Sequence, residues 1–447
     1  MSASPQTDVR PGPLPPGPRW APLQTALYMR DPRGYIQKLR ERYGDVVTMP
    51  TMNGRLILSM TSEGAREILA TPMERFGEAF GAETLSPVLG EGSLLLLTGR
   101  RHRAERKLLS PTFHGNRMRT LSGAMESATL DRMQTWKSGE KINLLEEMQV
   151  ISLDVIIRAV LGIQDPELSG RFRIAIREAI QDANPVLFFF KAAQHGFGGV
   201  GPWARFLKKR DRLHGLMDEQ IRISRLDADD EDPYILSRLV QASGEAGEPL
   251  SNAQIRDHLL TLLVAGHETT ASALAWTFYE LSRNPDVQSW LLDEMKEPSA
   301  GPEKSARISV LEATARESLR LHPIIGEFFR PVRESMSFQG FTVPEGAILS
   351  ATALEIHKDE SLYPEPEVFR PSRFLERSFA PHEFVSFGGG HRHCLGSAFA
   401  LAEMNIVMGT LLPELDFELV SPDPVSIQLR NVTLAPAGGI DVLVHKR

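Results

Sequence analysis

The sequence predicts a mainly α-helical chain with a smaller β-rich region, folded as one large domain. Three observations lead there. A long run beginning at Ser251 has a capping box with Gln254, apolar residues at Ile255, Leu259, Leu262, Leu263, Leu274 and Phe278, and a stop at Asn284-Pro285. The clearest β signal is short and local: Val46–Thr51 and Arg55–Met60 flank Asn53-Gly54, a hairpin pattern. No repeat, and no linker long enough to separate domains, interrupts the 447 residues.

Composition is that of an ordinary globular protein, 42% hydrophobic and 24% charged. A net charge of −7 gives a nucleic-acid partner no support. The single cysteine, Cys394, excludes an internal disulfide, so oxidising surroundings are not needed for folding. The opening MSASPQTDVR lacks an apolar h-region, and no run of about 18 apolar residues occurs. A cytoplasmic protein without a membrane anchor is the expectation.

Taken in order, residues 1–18 form a proline-rich leader ahead of a domain spanning 19–447. Asp31 to Tyr43 reads as a helix with Asp31 as N-cap, Pro32 at its first position and Gly44 as stop. From Phe76 to Leu97, glycines interrupt apolar residues that include Phe76, Phe80, Leu85, Leu89 and Leu94. That pattern suits a mobile apolar loop with something to cover, or a poorly patterned piece of core. Arg100 to Leu109 reads as a helix with a dense basic run, in which His102 and Arg106 share a face. Residues 118–180 look helical, 184–203 are apolar and aromatic, and 227–232 are an acidic surface loop. A further helix is expected from Val310 to Leu321, an apolar strand from Ile324 to Phe329, and a helix from about Leu395 to Leu412.

Two stretches carry chemistry. In Phe387-Gly388-Gly389-Gly390-His391-Arg392-His393-Cys394-Leu395-Gly396, glycines crowd the lone cysteine at the mouth of a helix. Backbone N–H groups and the positive helix end favour thiolate there, and the glycines admit a bulky flat partner. Arg392 offers that partner a positive fork. The arrangement suits an axial ligand of haem iron; the alternative is an inert buried cysteine.

The second stretch, Ala265-Gly266-His267-Glu268-Thr269-Thr270, stands near the middle of the long helix. Gly266 costs about 1 kcal/mol against alanine there, and the threonine hydroxyls can bond back to carbonyls and bend the helix. Ala265 and Gly266 leave space beside a flat cofactor, and a break in the helix frees a carbonyl for water. Glu268 and Thr269 form an acid–alcohol pair able to relay protons. A kinked structural helix is the alternative, and His267 reads as packing or surface.

The order Phe-x-x-Gly-x-Arg-x-Cys-x-Gly strongly resembles the haem-binding loop of the cytochrome P450 family. Glu317-Ser318-Leu319-Arg320, followed about fifty residues later by Phe369-Arg370-Pro371-Ser372-Arg373-Phe374, resembles the family's Glu-x-x-Arg and later Arg elements. The resemblance covers residues 19–447 and implies the P450 fold with bound haem b. It implies Cys394 as axial thiolate and metal ligand, with Phe387, Gly388, Leu395 and Gly396 around it and Ala265 and Thr269 across from it. His102, Arg106, Arg330 and Arg392 would bind the propionates; many relatives have Trp where this chain has His102. Thr269 and Glu268 would deliver protons. Glu317, Arg320 and Arg373 would form a structural triad.

The same resemblance makes residues 76–97 a cover over the substrate pocket and 184–203 a lid. Its implied pocket residues are Phe76, Leu89, Leu94, Phe189, Leu262, Ala265, Ile325, Glu327, Phe328 and Thr433. Glu327 is odd in an apolar strand: it points away, the favoured reading, or it anchors a polar group on the substrate.

The implied function is a monooxygenase that inserts one oxygen atom of O2 into an apolar small molecule, such as a fatty acid, terpenoid, steroid or macrocyclic natural product. No flavin or iron–sulfur segment follows the haem loop, so a ferredoxin or flavodoxin with its reductase is the expected electron donor. Arg100, Arg101, Arg103 and Lys107 suit steering of such an acidic carrier. A monomer is expected. Rival readings are a peroxide-driven peroxygenase, a non-redox haem-thiolate isomerase or dehydratase, and a haem-binding sensor.

Overall fold

Local chemistry sets where the first elements begin and end. The structure, a computed structural model, describes residues 13–52, 54–79, 81–113, 116–182, 194, 199–227, 232, 234–244, 247–296, 309–430 and 432–447. Helix α1 (Ala21–Arg30) follows the prolines, which lie along the sheet: the Thr48 amide donates to the Pro16 carbonyl at 2.9 Å. Asp31 caps α2 (Pro32–Tyr43) by accepting the Gly34 amide at 3.0 Å, and the helix stops at Gly44. The hairpin forms as β1 (Val46–Thr51) and β2 (Gly54–Ser59), with Thr51 opposite Gly54; Asn53 lies outside the described residues.

Where a loop is expected between 76 and 97, the chain forms α4 (Ala82–Leu89), after α3 (Ser62–Ala70). Nor is the segment after α4 free. The Gly92 amide donates to Asp257 at 2.9 Å, and Thr261 donates to Ser93 at 2.7 Å, tying it to the central helix. Phe80 is outside the described residues. The basic helix is α5 (Gly99–Leu109).

The helical stretch 118–180 divides into α6 (Asn116–Met133), α7 (Leu144–Ala159) and α8 (Pro166–Asp182), with β3 (Lys141–Asn143) between the first two. The break after α7 falls at Gly162, whose φ of 72° and proximity to the Tyr234 ring exclude a side chain. Residues 183–193 and 195–198 of the expected lid, Phe189 among them, lie outside the described residues. Next come α9 (Pro202–Leu226) and α10 (Ile235–Gln241).

The central helix α11 (Asn252–Arg283) opens with the expected capping box and runs 32 residues, about 48 Å at 1.5 Å each. It is continuous, so the expected break is absent; the Thr269 hydroxyl bonds back without interrupting the helix. Helices α12 (Pro285–Lys296), α13 (Val310–Leu321) and α14 (Ser397–Leu411) follow. The main core gathers around α11, where Leu274, Trp276 and Phe278 pack with Ile151, Val155 and Ile156 of α7 and Met404, Val407 and Met408 of α14. Each such side chain contributes roughly 1.5–3 kcal/mol by leaving water.

The β region assembles from distant segments. It uses β4 (Glu327–Pro331), β5 (Met336–Phe338), β6 (Phe341–Val343), β7 (Ile348–Thr352), β8 (Leu415–Leu419), β9 (Ile427–Arg430), β10 (Thr433–Pro436) and β11 (Asp441–Lys446). The largest sheet has the order β1-β2-β7-β4, with β2 parallel to β7 and β4 antiparallel to it. This pairing fixes which way the side chains of β4 point, which matters for the site.

Candidate active site

The cysteine loop is held from within and from behind. The Cys394 amide donates to the Phe387 carbonyl at 2.9 Å, closing the loop on itself. Gly388 and Gly390 have φ of 62° and 59°, and a side chain at Gly390 would meet the Leu69 carbonyl. Behind the loop, the Val385 amide donates to His357 Nε2 at 3.0 Å, and His357 Nδ1 lies 3.2 Å from the Arg320 carbonyl. Burial first, and Arg320 second, push His357 down to about 3, so the ring is neutral and its two nitrogens take opposite roles.

Cys394 stands three residues before α14 begins, and it is accessible. Its surroundings of protein raise the thiol above its ordinary value, while the Gly396 N–H and the Arg106 guanidinium act in the opposite direction. Accessible sulfur amid protein atoms marks a group that lines a space rather than a surface.

Cations converge on the same place. His102 and Arg106 lie four apart on α5, and Arg100, Arg101, Arg103 and Lys107 turn outward. Arg330 leaves β4 to reach the Gly389 carbonyl at 3.3 Å, and Arg392 donates to the carbonyls of Leu94, at 3.2 Å, and Leu97. Burial, then Arg392, lowers Arg330 to about 10; burial, then Arg106, lowers Arg392 to about 10. Burial leads the causes that bring His102 to about 3, followed by Arg392 and Arg106. Among the described residues, none of these groups has a carboxylate partner, and His102 Nδ1 is buried without a hydrogen bond.

This donor set fits haem b. Guanidiniums without carboxylate partners among the described residues and an orphaned imidazole nitrogen suit propionates, and an accessible sulfur in a glycine loop suits a thiolate ligand to iron.

On α11, Val264 and Ala265 are exposed and Leu262, Gly266 and Thr269 are half-buried, although the residues on either side, His258–Thr261 and Thr270–Tyr279, are buried. The Thr269 hydroxyl donates to the Ala265 carbonyl at 2.6 Å. A side chain at Gly266 would come 3.2 Å from Ile156, so its smallness lets α7 pack closely. Glu268 is buried and pairs with Arg430 of β9 at 3.0 Å. His267 is buried, the packing alternative.

Glu317 receives Arg320 at 2.7 and 2.9 Å, Arg373 at 2.9 Å and the Arg370 amide at 2.9 Å, and the three charged side chains are buried. Of the expected pocket residues, Leu89 and Leu94 are buried and Ile325 is 37% exposed. Phe76 bridges Val332, and both Phe76 and Phe328 pack on the apolar cluster of the main sheet. Thr433 is buried and donates to the Arg430 carbonyl at 2.9 Å.

Glu327 faces the opposite side of β4 from Arg330. It accepts from Tyr28 at 2.6 Å and from Thr352 at 3.4 Å, and burial raises it to about 7.

The cytochrome P450 family model matches residues 11–444. The chain belongs to the cytochrome P450 family. "Putative cytochrome P450 135A1" of Mycobacterium tuberculosis is 32% identical over 431 residues, covering 95% of this chain and 94% of the relative. "Putative cytochrome P450 138" of Mycobacterium bovis is 30% identical over 438 residues, covering 97% of each. The solved structure "Retinoic acid bound cyanobacterial CYP120A1" shares the fold with a TM-score of 0.84 at 24% identity, covering 98% of this chain and all of that one. As a P450, the chain is an oxygen-incorporating oxidoreductase that uses haem b. No helix among the described residues is long and apolar enough to cross a membrane.

Three residues that matter here gave no signal in the sequence. His357 is a lone histidine whose two bonds are both to distant backbone. Arg430 meets Glu268, and Tyr28 meets Glu327, across 162 and 299 positions of chain.

Proposed function

We propose that this P450 monooxygenase oxidises an apolar small molecule of the fatty-acid, terpenoid, steroid or macrocyclic class, with Cys394 as axial thiolate. The observation that carries the site assignment is the orphaned His102 Nδ1 amid Arg106, Arg330 and Arg392, all without carboxylate partners among the described residues. These four groups would hold the propionates, His102 acting as a neutral donor. Haem b, when bound, activates O2 so that one oxygen atom enters the substrate and the other leaves as water.

The chain's own part is positioning and proton delivery. The Thr269 hydroxyl, bonded to the Ala265 carbonyl, holds a proton at the accessible strip of α11. Glu268, paired with partly exposed Arg430, connects that part of the helix with solvent. Leu262, Val264, Ala265 and Ile325 are apolar and at least partly accessible, which suits a lipophilic substrate. Glu317, Arg320 and Arg373 hold the fold behind the cysteine loop. The protein works as a cytoplasmic monomer that takes electrons from a ferredoxin or flavodoxin with its reductase, steered by outward Arg100, Arg101 and Lys107.

A Soret titration of the ferric protein with fatty acids of graded chain length, terpenoids, steroids and macrocycles tests the substrate class. A graded spin shift within one series identifies it, and no shift with any member removes the proposed class. Cys394→Ser tests the ligand: the ferrous–carbonyl band characteristic of thiolate is lost, and its persistence would refute the assignment.

A further inference from the structure

Helix α1 is turned inside out. Two of its polar side chains point inward: Gln24 is 7% exposed and accepts from Tyr35 at 2.8 Å, and Tyr28 donates to Glu327 at 2.6 Å. Its apolar side chains point out: Trp20, at the N-cap, is 63% exposed, Leu23 43%, Leu27 39% and Met29 53%. Trp20, Leu23 and Leu27 fall at helical spacing on one stripe, and Leu14 is exposed ahead of it. Exposed Arg19 and Arg30 close the two ends, neither in an ion pair among the described residues. No acidic residue occurs from Pro13 to Arg30.

We propose that this face of α1 docks the protein peripherally on an anionic lipid bilayer. An exposed tryptophan with aliphatic neighbours and cations at the rim is the composition of a helix lying in a membrane interface. Anionic headgroups complement the two arginines. A second copy of the chain fits less well. A ten-residue helix is about 15 Å long, too short to supply the roughly 1,200 Å² of a stable interface by itself. Two-fold pairing through α1, in either direction, also sets arginine against arginine. A bilayer needs no matching surface.

Flotation of the haem-loaded full chain tests the proposal, comparing phosphatidylglycerol–phosphatidylcholine vesicles with phosphatidylcholine alone. The wild type floats with the anionic vesicles, and less so at high salt. Leu23→Ser with Leu27→Ser lowers the bound fraction by roughly tenfold, and Arg19→Glu with Arg30→Glu abolishes the preference for phosphatidylglycerol. Unchanged Soret spectra show that both variants are folded and loaded. The proposal is overturned if the wild type does not float, or if the serine variant floats equally well. It is also overturned if, without lipid, the wild type self-associates through these residues and shows no vesicle binding.

Discussion

Val385 donates its amide hydrogen to the imidazole of His357 at 3.0 Å, two residues before the cysteine loop begins at Phe387. The same ring reaches the Arg320 carbonyl, so the buried charge cluster and the cysteine loop share one side chain. His357→Phe leaves a buried amide and a buried carbonyl without that partner, at roughly 1–3 kcal/mol each. The expected outcome is a lower denaturant midpoint and earlier loss of the thiolate-type carbonyl band on warming. An unchanged midpoint would show that the ring is dispensable.

Glu317 tests the charge cluster itself. Glu317→Ala leaves Arg320 and Arg373 buried without their carboxylate, a loss of about 3–5 kcal/mol. Equilibrium unfolding, or the yield of folded protein, reads this directly. A loss below about 1 kcal/mol would mean that the backbone carbonyls around the guanidiniums suffice.

Thr269 gives an effect of the opposite kind. Thr269→Ala removes a hydroxyl but adds the best helix former, so thermal stability holds or rises by a few tenths of a kcal/mol. Product formed per electron consumed is expected to fall by roughly a hundredfold, if the hydroxyl supplies a proton in the slow step. Equal product yields in wild type and variant would remove Thr269 from the chemistry.

Glu327 predicts a pH dependence. Its folded pKa is about 7 against an ordinary 4.5, so the native state binds more protons than the unfolded chain between those values. Stability from this group therefore falls as pH rises through that window and is level above it, a change of up to roughly 3 kcal/mol. Glu327→Gln can keep a hydrogen bond to Tyr28 while removing the titration. Melting temperature plotted against pH is expected to slope less in the variant from pH 5 to 7, and parallel curves would contradict the assignment.

The outward side of α5 predicts a kinetic effect. Arg103 is already paired with Glu74 at 2.7 Å, which leaves Arg101 and Lys107 as the better probes. Reversing both charges is expected to slow reduction by an acidic ferredoxin about tenfold at low salt and to flatten its salt dependence. Stopped-flow reduction that matches wild type at every ionic strength would end the steering idea.

Much of this was legible in the sequence because its causes are local. Asp31, Pro32 and Gly44 bound α2 by their own chemistry, and Ser251 with Gln254 starts α11 in the same way. The cysteine loop is legible because it combines rare residues at fixed spacing. The division of 118–180 is hidden in the sequence because apolar spacing continues across Gly162. Helix α1 leaves a misleading trace, because its apolar face is the outer one rather than the one packed on the core. The parallel pairing of β2 with β7, about 290 positions apart, leaves no local trace at all. That Arg330 and Glu327 leave β4 on opposite sides follows from strand alternation alone; the pairing adds which partner each side meets.

Cys394 is the chain's one thiol, and this makes it a gauge of occupancy as well as a ligand. A maleimide has a single place to react, so the moles of label taken up count the molecules whose sulfur is not engaged. Oxidation there has no second cysteine in the chain to resolve it, and the sulfenic acid proceeds to irreversible forms unless an outside thiol intervenes. For this protein, staying loaded is also a way of staying undamaged.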